Sequence, residues 1–398
     1  MKTLSLATIF AALSGFAVIF IAPHAMPRAE VEEFMAFWGL FFAVAGLIDG
    51  LMQETTRSVS SARQAPSEMG DRANPWLTAS WIAGALALIA VVTSPLWTHL
   101  LTQHIGLATA LLAIGLVSYV FQALLSGILS GTEKWPVFAL LLTLDSGIRL
   151  GLVLLAWWAG WGLVAFLVVT VIGALSWALV LFWARDVLRA PTDCVQQVFR
   201  RNTFSAMLAT GATALLITGF PTFIKATQDP APVGGVTMAA VMYAVTLTRA
   251  PILVPLQRFQ SALIVNFVTH RDAVLKTLVK PVGAVFGLGL IGGALAWLIG
   301  PWIMETLWGP DYAVPGLNLA LLTIASACTG ALMITGTATL AIESHRAYVL
   351  GWVVASAVAF AVLLLPFTLA TNVCAALLAG PLTGAFVHVS ALRSNRHG

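Results

Sequence analysis

Charge is scarce in this sequence. Only 9% of its 398 residues are Asp, Glu, Lys or Arg, against roughly 25% in an ordinary soluble domain. A chain so poor in ions cannot cover a globular surface with them, and this excludes a water-soluble enzyme. Cysteine is scarce as well. Cys194, Cys328 and Cys374 are odd in number, two of them fall in apolar runs, and their spacing fits neither a disulfide framework nor a metal site. There is no Walker sequence, which excludes ATP hydrolysis by this chain. Nor is any polar segment long enough to fold separately, since even small domains need about 50 residues.

What abounds is apolar length. Hydrophobic residues make up 59% of the chain and the mean hydropathy is +0.93. Twelve apolar runs approach or exceed the ~20 residues that a membrane-crossing helix needs: 4–22, 34–52, 77–98, 106–129, 136–157, 160–184, 204–224, 233–255, 279–300, 315–342, 347–367 and 371–391. The first follows Lys2 as a signal peptide would. It is too long for a cleaved core and ends in Pro-His, so it reads as a retained helix. The expected fold is therefore an all-α integral membrane protein of twelve helices. The polar stretch 185–203 divides them six and six: an N-terminal lobe over 1–190, a linker over 191–203 and a C-terminal lobe over 204–398. Gly283, Gly287, Gly289 and Gly293 offer close helix contact within a lobe.

An even number of spans puts both termini on one side. With the termini in the cytoplasm, sixteen Lys and Arg lie inside while Arg28 and Lys225 alone lie outside, as the positive-inside rule requires. Trp76, Trp97, Trp135 and Trp308 fall at span ends, where indole rings favour the interface. The net charge of +4 restates this asymmetry and gives no argument for nucleic acid as a partner.

Four charges fall inside spans, where lipid cannot solvate them: Asp49, Asp145, Arg149 and Arg249. Asp145 and Arg149 are four apart and share a helix face, as a self-satisfied pair or as the wall of a polar cavity. Arg249 either binds a substrate or snorkels to the cytoplasmic interface, and Pro251 and Pro255 are expected to break or kink its helix. Asp49, Gln53, Glu54 and Arg57 form a polar stripe at the inner end of the second span. Lys225 reads as an interfacial lysine, and His388 and Gln122 read as hydrogen-bonded packing residues. No catalytic constellation, metal site or cofactor motif appears. Glu30, Glu32 and Glu33 have the chemistry of a glycosyltransferase loop, but 23–33 is too short to hold an acceptor.

Three stretches carry a resemblance. Gly46-Leu-Ile-Asp-Gly-Leu-Met-Gln-Glu-Thr-Thr-Arg57, Gly131-Thr-Glu-Lys-Trp135 with the following Asp145 and Arg149, and Gly309-Pro-Asp-Tyr-Ala-Val-Pro315 with the later His345-Arg-Ala-Tyr348 are similar to segments of polysaccharide flippases. Those proteins form a branch of the multidrug/oligosaccharidyl-lipid/polysaccharide (MOP) exporter superfamily, and the likeness is to its actinobacterial members. The resemblance implies two six-helix lobes in a V around a lumen open alternately to each side of the bacterial cytoplasmic membrane. It implies a cargo of polyprenyl-phosphate-linked saccharide, with membrane lipids and cell-envelope glycosyltransferases as partners. The lumen candidates are then Arg149, Arg249, Asp145, Arg57, Asp49, Gln53 and Glu54, the arginines facing the lipid phosphate. Span 1 departs from two branches. It lacks the cations that lipid II flippases carry there and the carboxylate that drug exporters use for ion coupling. The alternative is a cation-coupled small-molecule exporter on the same fold.

Overall fold

The computed structural model describes residues 2–64, 72–183, 190–228, 235–270 and 273–394. Arg185, Arg189, Arg271 and Arg396, which contribute to the charge asymmetry, lie outside them. The described residues form helices joined by turns: α1 Lys2–Ala25, α2 Arg28–Gln64, α3 Pro75–Val92, α4 Ser94–Leu101, α5 Ile105–Gly131, α6 Trp135–Trp158, α7 Leu163–Ile172, α8 Ser176–Trp183, α9 Gln196–Ile217, α10 Phe220–Thr227, α11 Met238–Thr269, α12 Val274–Trp308, α13 Gly316–Ala341, α14 His345–Leu363 and α15 Leu369–Ser394. Eleven helical stretches are long and apolar enough to cross a membrane, or twelve if α9 and α10, bent by 58°, form one span. Every apolar run read from the sequence holds a helix.

The differences lie at ends and breaks. The run 77–98 is two helices, because Pro95 lacks the N–H that would continue α3. The run 160–184 is interrupted by a 3₁₀ turn, Gly173–Leu175. Two segments read as polar connections are partly helical: α2 runs on to Gln64 and α9 starts at Gln196. The extension of α2 is held by packing. Thr55, Ser58 and Val59 are fully buried, and α5 meets them through Gly127 and Gly131, where a methyl at Gly127 would sit 2.7 Å from the Met52 carbonyl oxygen. α11, by contrast, continues unbroken through Pro251 and Pro255. Each proline removes one backbone hydrogen bond, and their four-residue spacing puts both losses on one face, so the other bonds keep the helix.

By spatial contact the chain divides into two units, residues 1–222 and 223–398. The division falls between Thr222 and Phe223 rather than within 191–203, because α9 packs along α2. Within the first unit α6 also packs on α1, and within the second α14 and α15 pack together. The most buried spans are α5 and α13, 67% and 72%, and each forms the centre of its unit. Of the glycines on α12, Gly289 and Gly293 pack against α13, while Gly283 and Gly287 have open space.

The two units repeat one another internally. The turns after α5 and α13 each hold a glutamate in the left-handed region, Glu133 at φ 58° and Glu343 at φ 64°, 210 residues apart (133 to 343). Their hydrogen bonds match: Lys134 N donates to Leu129 O as Ser344 N donates to Thr339 O, each at 2.9 Å. Burial repeats as well, at 61% for both α2 and α11 and 33% for both α6 and α14. His388 on α15 is fully buried, hydrogen-bonded to Tyr348 O and Thr335 Oγ1, both at 3.1 Å. It fits because Gly351 leaves room for the ring.

Candidate functional site: a buried charge cluster

Three ionisable side chains gather inside the first unit, Asp49, Asp145 and Arg149. Asp145 and Arg149 face one way from α6, one turn apart, with Arg149 Nη2 3.0 Å from Asp145 Oδ1. The pair is buried, its side chains 12% and 8% exposed. The 3₁₀ turn after α7 makes room for it. Gly173 lies flat against both side chains, and a methyl there would collide with Arg149 Nε and Asp145 Oδ1. Phe42 of α2 covers the guanidinium, its ring centroid 5.0 Å from Arg149 Cζ, a cation–π contact that gains from desolvation.

This packing leaves donors unused. Arg149 Nε and Nη2, with Asp145 Oδ1, make no hydrogen bond among the described residues, so the 3.0 Å approach is an ion contact without hydrogen-bond alignment. Buried donors without acceptors are expensive in any protein and more so among membrane helices. A ligand bearing acceptor oxygens would satisfy them.

Asp49 of α2 joins through Tyr119. It accepts a hydrogen bond from Tyr119 of α5 at 3.0 Å, and Tyr119 lies within electrostatic reach of both Asp145 and Arg149. The cluster thus holds two carboxylates and one guanidinium. Sequence reading missed Tyr119, Phe42 and Gly173. Tyr119 left a usable signal, as one of only four tyrosines in the chain, set within an apolar run. Nearby, Gln122 accepts from Ser176 Oγ at 3.3 Å.

The other candidates lie elsewhere. At the far end of α2, Arg57 donates to Glu54 at 2.9 and 2.7 Å and to Asp193 at 2.7 Å. Ser58 donates to Asp193 at 2.7 Å and Asn202 to Glu54 at 3.2 Å. Burial works to raise the Asp193 carboxyl. The hydrogen bonds from Arg57 and Ser58 and the Arg57 charge outweigh it and hold the group below the usual carboxylate range. The segment around Asp193 is also tied to 73–78: Ala73 N donates to Cys194 O at 2.9 Å and Asn74 N to Gln196 Oε1 at 2.7 Å. Gln53 is exposed. Arg249 lies in the second unit on α11, two residues before Pro251 and 7% exposed. Of the acidic residues at the start of α2, Glu30 accepts from Leu163 N at 2.8 Å, capping α7, and Glu33 accepts from Thr102 Oγ1 at 2.8 Å. Among the described residues no three metal-ligating side chains come together.

No protein-family model matches the chain. "Uncharacterized protein Rv1510" of Mycobacterium tuberculosis is 38% identical over 390 residues, covering 97% of this chain and 90% of its own. "Uncharacterized protein Mb3654" of Mycobacterium bovis is 38% identical over 392 residues with the same coverage. Among solved structures, a multidrug resistance MATE family transporter of the MOP superfamily in an inward-facing conformation aligns with TM-score 0.73 at 15% identity, over 98% of this chain and 94% of that one. A MOP superfamily transporter from Pyrococcus furiosus, described as having a binding pocket of reverse polarity, aligns with TM-score 0.70 at 15% identity, over 100% and 94%. At such identity the likeness is one of fold.

Proposed function

Since the chain belongs to the family of the mycobacterial proteins Rv1510 and Mb3654 and has the fold of MATE transporters of the MOP superfamily, we propose that it is a flippase for a polyprenyl-phosphate-linked saccharide. It carries this lipid by alternating access from the inner to the outer leaflet of the bacterial cytoplasmic membrane, for assembly of cell-envelope glycans made by glycosyltransferases. The observation that carries the reading is Arg149: a buried guanidinium inside a span with two donor nitrogens unused. A phosphate is the acceptor whose oxygens match that planar fork. Arg249 supplies a second buried cation on the same reading. Arg57, already bound to Glu54 and Asp193, positions the 192–196 segment instead.

The test separates level from transport. Asp145→Asn with Arg149→Gln removes the ion pair without orphaning a charge. It is expected to reach the membrane at wild-type level yet fail to move a short-chain polyprenyl-phosphate sugar across vesicles, and native mass spectrometry of the wild type in mild detergent should show a co-purifying polyprenyl lipid. Full transport by the double variant would remove Arg149 from the site. Arg249→Lys keeps the charge and loses the fork, so on this reading it too should impair transport at normal protein level. On this reading both termini lie in the cytoplasm, so single cysteines in 53–76 and 185–203 should resist impermeant reagents that label those in 23–33 or 301–312.

A second reading has its own support. Asp49 and Asp145 outnumber Arg149 in the cluster, as a site that exchanges a proton or cation would require. On the same fold this describes a cation-coupled exporter of small molecules. Drug-stimulated proton movement in vesicles, abolished in Asp49→Asn, would favour it over the flippase.

A further inference from the structure

One face of α2 runs past the ion pair. Trp38, Phe42 and Asp49 recur along it at intervals of four and seven residues, and all three are half-buried. Phe42 touches two flat groups. Its ring centroid lies 5.0 Å from Arg149 Cζ and 4.5 Å from the Trp38 ring. Trp38 is braced by Phe34, 5.5 Å away, which meets Phe166 of α7 edge-on at 5.5 Å. The six-membered ring of Phe42 thus takes up the space beside a guanidinium and an indole at once.

The unpaired atoms next to that ring define what can replace it. Arg149 Nε and Nη2 lack acceptors, and Asp145 Oδ1 lacks a donor, among the described residues. A lipid phosphate answers the two nitrogens but brings no donor for the carboxylate, whose charge repels it. The sugar attached to that phosphate supplies what is missing: hydroxyls that donate to a carboxylate, and a ring whose C–H face packs on an indole. The wall at Gly173 is backbone, so the cover that lifts from Arg149 is the Phe42 side chain, by a change of rotamer. We infer that the first sugar of the cargo displaces the Phe42 ring and takes its place beside Trp38, with its phosphate on Arg149 and one hydroxyl on Asp145. Trp38 and Asp145 then set specificity, because they distinguish a glycosylated carrier from a bare polyprenyl phosphate. The inference rests on the flippase reading and adds to it the chemistry by which the headgroup is recognised.

Binding tests this with two probes, a polyprenyl phosphate carrying one hexose and the same lipid without it. Each is titrated into the purified full chain in mild detergent and counted by native mass spectrometry. Wild type is expected to prefer the glycosylated lipid about tenfold, the scale of one good aromatic contact. Trp38→Leu should lose most of that preference while its affinity for the bare lipid stays unchanged, and Trp38→Phe, which keeps an aromatic face, should retain part of it. Phe42→Ala removes the competing ring, so it should bind the glycosylated lipid more tightly than wild type, a gain that misfolding cannot produce. This variant decides if Trp38→Leu does not fold. Equal affinity of the wild type for the two lipids would overturn the inference and leave the flippase reading standing, whereas binding of neither would overturn both. A folded Trp38→Leu that keeps the full preference, or a Phe42→Ala that binds no more tightly, would also overturn it.

Discussion

α6 and α14 stand in matching places. Each follows a turn with a left-handed glutamate, each starts two residues after it, and each is 33% buried as a span. Yet the positions of Asp145 and Arg149 correspond, 210 residues on, to Ala355 and Ala359, both fully buried. Where α6 meets Gly173 with an ion pair, α14 meets α15 backbone to backbone: a methyl at Gly380 would lie 2.6 Å from Ala355 O and 2.9 Å from Ala359 Cβ. One architecture is therefore built with two alanines in one half and with two charges in the other. The scaffold does not require the charges. That supports the proposed function, in which the ion pair serves a ligand rather than the scaffold.

The largest effect is expected from forcing the charged solution onto the second half. Ala355→Asp with Ala359→Arg pushes long polar side chains into a backbone contact that has no cavity for them. The cost should be about 4–5 kcal/mol or more, seen as loss of the folded protein from the membrane. A smaller effect should follow from breaking the pair in the first half. Asp145→Asn or Arg149→Gln alone leaves one buried charge, at about 3–5 kcal/mol, and thermal unfolding in detergent should show the double variant recovering most of that loss. If each single variant proved as stable as wild type, the pair would not be the coupled unit described.

Gly173→Ala probes the turn that accommodates the pair. The added methyl meets Arg149 Nε and Asp145 Oδ1, so a loss of about 1–3 kcal/mol is expected from overpacking. Gly283→Ala, where the structure leaves open space, should change the same unfolding midpoint little.

The smallest effect concerns Asp193, which precedes α9 and is bound by Arg57 of α2. Its carboxyl is held below the usual range, so its contribution is present above the unfolded-state value, 3.8, and disappears as pH falls through the lower folded value. Arg57 is 46% exposed and solvent screens the pair, which limits the contribution to roughly 0.2–1 kcal/mol. Asp193→Asn should lower the unfolding midpoint slightly at pH 7. That difference should vanish on acidification.

The helices were legible because apolar length dominates this sequence, and Asp145 and Arg149 because a charge in an apolar run stands out. Other features were hidden for stated physical reasons. The extension of α2 past residue 52 reads as polar, since Thr55, Ser58 and Val59 are buried by α5 glycines far away in sequence. Gly173 was one glycine among 33, and only tertiary contact shows that it accommodates two side chains. The repeat left almost no sequence identity to detect, since Thr-Glu-Lys in one turn and Ile-Glu-Ser in the other share the glutamate and a hydrogen-bond pattern. Pro251 and Pro255 misled in the other direction, because a helix survives scattered losses of single bonds.

One more consequence follows from the length of α2. Its 37 residues span about 55 Å at 1.5 Å per residue, while the hydrocarbon core is only about 30 Å thick. The helix carries Asp49 of the charge cluster and, eight residues or about 12 Å further along at 1.5 Å per residue, the Arg57–Asp193 clamp. A tilt of about 10° about Asp49 would carry that clamp through roughly 2 Å. Movement at the charge cluster would thus arrive, through one rigid helix, where the start of α9 is fastened.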